Sequence, residues 1–122
     1  MTTLSAKEEL EIAVKAIDGK KANHVVALDM EPVSLMADYF VIADAASNRQ
    51  VQAVVNEVKD KIEEAGGQVR YMEGYQQAQW VVLDLGDVIV HIFDTEHRDF
   101  YHLEKLWYDA PEVDISDLLE ED

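Results

Sequence analysis

The chain has 122 residues, enough for one domain with a single core, and 48% of them are apolar, more than a disordered chain of this charge would carry. Ten Lys and Arg stand against twenty-six Asp and Glu, a net charge of −16. That balance disfavours direct contact with a nucleic-acid backbone or an anionic membrane and suits a basic protein partner. Cysteine is absent, which excludes disulfide staples, thiolate metal sites and cysteine nucleophiles and fits a reducing cytoplasm. No signal-like pattern opens the chain, and no apolar run approaches the roughly 20 residues that span a membrane.

The first element is a helix from about Ser5 to Asp18. Ser5-Ala-Lys-Glu8 is a capping box. Ala6, Leu10, Ala13, Val14 and Ile17 follow helical spacing, and Gly19 is a plausible stop. HVVALDM (His24–Met30) reads as a strand, and Pro32 and Ser34 mark a loop. DYFVIAD (Asp38–Asp44) is a second strand, whose continuous apolar centre predicts burial on both faces. Ser47-Asn-Arg-Gln50 is another capping box, opening a helix with the stripe Val51, Val54, Val55, Val58 and Ile62. Gly66-Gly67 ends it.

Three strands follow, at Gln68–Met72, Gln79–Leu85 and Val88–Phe93, with a loop at Glu73-Gly74-Tyr75. A last helix is predicted from His97 to Trp107. Its inner face would carry Phe100, Leu103, Leu106 and Trp107, with Tyr101 beside them. The folded domain is placed at 1–108. Residues 109–122 hold seven acids and no base; removing these seven from the total of −16 leaves −9 for the domain. A frayed acidic tail is expected there, with Ile115, Leu118 and Leu119 as an alternative amphipathic turn. The order αββαβββα predicts an α/β fold of two layers, helices packed on a mixed five-stranded sheet.

The run QWVVLDLGDVIVHIF (Gln79–Phe93) sets its own register if Gly86-Asp87 is a type II′ hairpin turn. Leu85 then opposes Val88, Asp84 opposes Ile89, Leu83 opposes Val90, Val82 opposes His91, Val81 opposes Ile92 and Trp80 opposes Phe93. One face collects Val81, Leu83, Leu85, Val88, Val90 and Ile92 and must be core. The other collects Trp80, Val82, Asp84, Ile89, His91 and Phe93. It is either covered in part by a helix or exposed as an interface, with Trp80 and Phe93 as an aromatic anchor pair.

Candidate chemistry is sparse. Asp84 and Asp87 are separated by the turn and do not project together as paired carboxylates. His91, His97 and His102 with Asp94 or Glu96 suggest a metal site, but His97 and His102 would diverge by about 140° on a helix. Ser47, Asn48 and Arg49 open a helix without a Gly-rich phosphate loop, and Ser47 already has a capping role. No serine lies in a nucleophile elbow. No catalytic residue, cofactor or metal is assigned.

The segments ALDMEPVSLMADYFVIADAASNRQV, EG, QWVVLDLGDVIVHIF and RDFYHLEKLW together resemble the ribosomal silencing factor family, the Iojap-like or RsfS-type proteins, from the first helix to Trp107. The resemblance implies a non-enzymatic translation repressor of the cytoplasm. It binds the large ribosomal subunit through protein uL14 and blocks docking of the small subunit when nutrients are short. It also implies a nucleotidyltransferase-like fold without the catalytic set, and a possible homodimer off the ribosome. Two alternative readings stand beside it: a nucleotidyltransferase-like enzyme, and a self-associating interaction module whose mixed sheet face forms a homodimer. Trp80 matches the family tryptophan associated with uL14. Glu73 and Gly74 match the preceding Glu-Gly; Asp84, Asp87 and His91 match the strand-and-turn signature. Arg98, Tyr101, Leu106 and Trp107 match the helix signature. Resemblance and hairpin register together give an expected partner-binding surface of Trp80, Glu73, Gly74, Asp84, His91, Phe93, Arg98 and Tyr101; the acidic charge adds the expectation that carboxylates such as Glu73 and Asp84 face Lys and Arg of uL14. One departure is Ala45-Ala46-Ser47, where the family often has a Gly-Thr-Ser-like turn.

Overall fold

A computed structural model describes residues 4–35, 37–96 and 110–119. Helix α1 spans Ala6–Gly19 and opens on the predicted box: the Glu8 amide donates to Ser5 Oγ at 3.1 Å, and the Ser5 amide donates to Glu8 Oε1 at 2.9 Å. Those two bonds satisfy donors that a helix start leaves orphaned. The Ser5 amide, and after it the Ser5 hydroxyl, hold the Glu8 carboxyl below its usual range. Helix α2 spans Asn48–Glu64, and its buried residues are Val51, Val54, Val55, Val58 and Ile62, the predicted stripe. Its N-terminal box is only half made. Ser47 Oγ accepts from the Gln50 amide, but the Gln50 side chain reaches the Ala46 amide instead of that of Ser47. At the other end the Gly67 amide donates to the Ile62 carbonyl and that of Gly66 to Glu63, a Schellman closure that uses the left-handed φ of +93° at Gly66.

Among the described residues five strands make one sheet: β1 (Asn23–Asp29), β2 (Tyr39–Ala45), β3 (Tyr71–Glu73), β4 (Trp80–Asp84) and β5 (Val88–Asp94), in the spatial order β1-β2-β5-β4-β3. Only β2 and β5 run parallel; the other pairs are antiparallel, so the sheet is mixed, as expected. The central pair carries the most buried strands, because helices cover one face and a second apolar cluster lies on the other. A register shift between Asn23 and Val26 marks a bulge in β1, where His24 adopts a φ of +53°. Strand β3 is shorter and later than predicted. Its neighbour β4 ends at Asp84, so residues before Arg70 have no strand to pair with.

The helix-facing core joins Leu10, Ala13, Val14 and Ile17 of α1 and the α2 stripe to Val41, Ala43, Val81, Leu83, Val90 and Ile92. Opposite lies a smaller cluster of Leu28, Met30, Ile42, Phe93 and Ala110, flanked by Val26, Val33, Phe40 and Trp80. The described part of the acidic tail is not frayed. The Asp29 amide donates to the Pro111 carbonyl and the Val113 amide to the Ala27 carbonyl, both at 2.8 Å, so the chain lies along the outer edge of β1. Ile115 is buried against the helix-side core, and a 3-10 turn at Ser116–Leu118 follows. The apolar residues of this segment outweigh its charge, since the acids can face water while Ile115 does not. The predicted helix at 97–107 lies outside the described residues.

Candidate docking surface

The β4–β5 register is the predicted one at every pair from Trp80–Phe93 to Asp84–Ile89, and the Leu85 amide donates to the Val88 carbonyl at 2.9 Å. Gly86 closes the turn with a φ of +113°, and Asp87 keeps a negative φ, the sign pattern of a type II′ turn. Every residue of the predicted core face is buried. The mixed face is graded: Trp80, Val82, Asp84 and Ile89 are half-buried, His91 is 6% exposed and Phe93 has no exposed surface.

Trp80 is therefore the outermost part of a stack. Its ring lies on Phe93 with centroids 5.2 Å apart at 23°. Its Nε1–H donates to His91 Nδ1 at 3.1 Å. The His91 ring in turn meets Phe40 at 4.7 Å, tilted by 59°. Burial pushes the His91 pKa down to about 4, so the imidazole is neutral at pH 7. Its Nε2 has no hydrogen-bond partner among the described residues. Phe93 and His91, expected to form part of a contact surface, thus sit beneath Trp80 and support it.

Asp84 and Asp87 are held by different contacts, Asp84 through its carboxylate and Asp87 through its backbone. Asp84 Oδ1 accepts from the Gly86 amide at 2.8 Å and stabilises the turn. The Asp87 amide donates to Glu9 Oε1 at 3.2 Å, and the Asp87 carbonyl accepts from the Asp38 amide at 2.8 Å. Burial pushes the Glu9 carboxyl up to about 7, against the Asp87 amide that favours its charged form.

Glu73 and Gly74 lie beside Trp80. Gly74 has a φ of +85°, and a Cβ there would collide with the Trp80 carbonyl oxygen. Glycine lets the 74–79 loop fold back close enough to launch β4. An open cleft of about 310 Å³ results, lined by Glu73, Gly74, Gln77, Gln79, Trp80 and Val82. The loop is tied to α2 by three amides: Asn48 Nδ2 to the Ala78 carbonyl, Gln52 Nε2 to the Tyr75 carbonyl, and Asn56 Nδ2 to the Tyr75 hydroxyl, at 2.9–3.0 Å. Sequence reading missed this role, weighing Asn48 only as part of a helix-start anion site, although the spacing of four puts the three residues on one polar face of the helix.

Arg98, Tyr101, Leu106 and Trp107 lie outside the described residues, as do His97 and His102. Among the described residues no three His, Asp or Glu side chains come together as a metal site. His24 Nδ1 lies 2.9 Å from Oδ2 of the buried Asp44, whose other oxygen accepts from the Thr95 hydroxyl. No local pattern signals this pairing, which joins residues far apart in the chain. Ser47 Oγ is occupied by the Gln50 amide.

The fold and this surface define a class: a small α/β domain whose sheet face turned away from α1 and α2 carries a half-buried tryptophan beside a cleft that contains Glu73. The family model described as ribosomal silencing factor during starvation matches residues 3–122. A ribosomal silencing factor RsfS from Bacillus subtilis (strain 168) is 51% identical over 112 residues, covering 92% of this chain and 95% of that protein. A crystal structure from Bacillus halodurans, 48% identical, superposes with a TM-score of 0.80 over 88% of this chain and 98% of that one. Another, from Chromobacterium violaceum, is 33% identical with a TM-score of 0.84, covering 86% and 88%. The chain belongs to the ribosomal silencing factor family.

Proposed function

We propose that this protein is a cytoplasmic translation repressor that docks on protein uL14 of the large ribosomal subunit and sterically blocks the small subunit from joining when nutrients are short. The observation that carries the reading is Trp80, half-buried on a base of Phe93 and His91 and bordering a cleft that contains Glu73. An aromatic anchor with a polar rim is the usual energetic centre of a protein interface. Family membership supports the ribosomal setting. The net charge of −16 argues for a basic protein, and against ribosomal RNA, as the main contact. No catalytic step is part of this reading.

The test is a subunit-joining assay with purified large subunits, small subunits and this protein. Joining is expected to fall as the protein saturates large subunits; unchanged joining at saturation refutes the proposal. Added salt is expected to slow association more than it speeds release, because an acidic rim steers encounter with a basic partner.

A further inference from the structure

The two nitrogens of His91 are in opposite situations. Nδ1 accepts the Trp80 indole N–H. A neutral imidazole that accepts at Nδ1 carries its proton on Nε2. That Nε2–H is buried and meets no partner among the described residues. A buried unpaired donor costs folding free energy, which a phenyl ring of similar shape at position 91 would not incur. What imidazole supplies and phenyl lacks is the acceptor for Trp80. The indole is thereby held along one edge by His91 and on one face by Phe93.

We propose that His91 is a positioning residue, whose Nδ1 fixes the plane of the Trp80 indole so that the docking surface is formed before a partner arrives. The inference rests on Trp80 being the docking anchor. An anchor already held in one orientation loses less side-chain freedom on binding. It also follows that the indole N–H is spent inside the protein, so Trp80 offers its partner ring contact rather than a hydrogen-bond donor. That favours an apolar or cationic side chain over a backbone carbonyl at this point. Desolvation keeps the imidazole neutral and its acceptor lone pair available at physiological pH.

The test uses the full chain, labelled with nitrogen-15. A through-hydrogen-bond coupling between Trp80 Nε1 and His91 Nδ1, with nitrogen shifts of the Nε2–H tautomer, is expected. Its absence overturns the proposal, whatever the variants do. His91→Phe is expected to melt at or above the wild-type temperature. Its Trp80 indole N–H should nevertheless exchange about tenfold faster, and its affinity for purified large subunits should fall about fivefold, the scale of one lost hydrogen bond. His91→Asn places an amide oxygen near the Nδ1 position and is expected to recover much of both losses. A folded His91→Phe with wild-type exchange and affinity overturns the proposal. If Trp80→Ala binds large subunits like wild type, the docking reading fails with its anchor, while coupling and exchange still decide whether His91 orients the indole.

Discussion

The two faces of the β4–β5 hairpin use the same two strands for opposite purposes. Toward the helices, Val81, Leu83, Val88, Val90 and Ile92 have no exposed surface and no polar side-chain atom. Away from them, the same strands carry Trp80, Asp84 and His91, with a ring stack, an N–H···N bond and a turn-closing carboxylate. The first face works by non-directional burial, which stabilises in proportion to area. The second works by direction, so its value lies in where Trp80 points. The difference teaches that non-directional burial and directed polar contacts can be placed on alternate residues of one strand, because successive side chains face opposite ways.

Substitutions should separate the two faces. Leu83→Ala is expected to have the largest effect on stability, about 2–5 kcal/mol, as a cavity in the helix-side core. Denaturant melts measure it, and an affinity for large subunits that is unchanged in the folded fraction would support the separation. Trp80→Ala should act in reverse, weakening large-subunit binding by about 2 kcal/mol or more. Co-sedimentation at wild-type affinity would mean that the anchor is wrongly assigned.

Gly74→Ala probes the loop that positions Trp80. The left-handed φ and the clash with the Trp80 carbonyl predict a cost of about 1–3 kcal/mol, with binding impaired as β4 shifts. A variant with normal melting and normal binding would show that the close approach is dispensable.

The Glu9 carboxyl tests the back of the hairpin, where its turn meets α1. Its folded pKa is raised from 4.5 to about 7, so the folded chain holds this proton more tightly than the unfolded chain. The stability it contributes is fully present below about pH 4.5 and is lost as pH rises through about 7. Glu9→Gln should flatten the fall in melting temperature between pH 5 and 7.5. Parallel slopes for the two proteins would show that Glu9 does not titrate this way. Ser5→Ala should be the smallest change, about 1 kcal/mol from the lost cap, with docking untouched.

Much of this was legible because local pattern and tertiary demand agreed. The alternation from Trp80 to Phe93 admits one register around Gly86-Asp87, and the structure adopts it. The α2 stripe is buried in full. What was not legible depended on distant partners. Glu9 reads as an ordinary acid of a first helical turn, yet 7% exposure puts it under the hairpin. His91 and Phe93 read as surface residues of the mixed face but lie under Trp80. Seven acids made residues 109–122 look solvated, yet the 110–113 backbone lies along β1 and Ile115 enters the core. Asn48, Gln52 and Asn56 gained meaning only when the 74–79 loop came to rest on α2.

By itself the sequence determined the α1 capping box, the stripe of α2, the hairpin register and the division of that hairpin into two faces. Each depends on neighbours within a few residues or on a strict period. Only the tertiary structure decided which residues of the mixed face stay accessible, which hold Trp80 from below, and that the chain after Pro111 is packed. Those outcomes are set by contacts between residues tens of positions apart, and no local period records them.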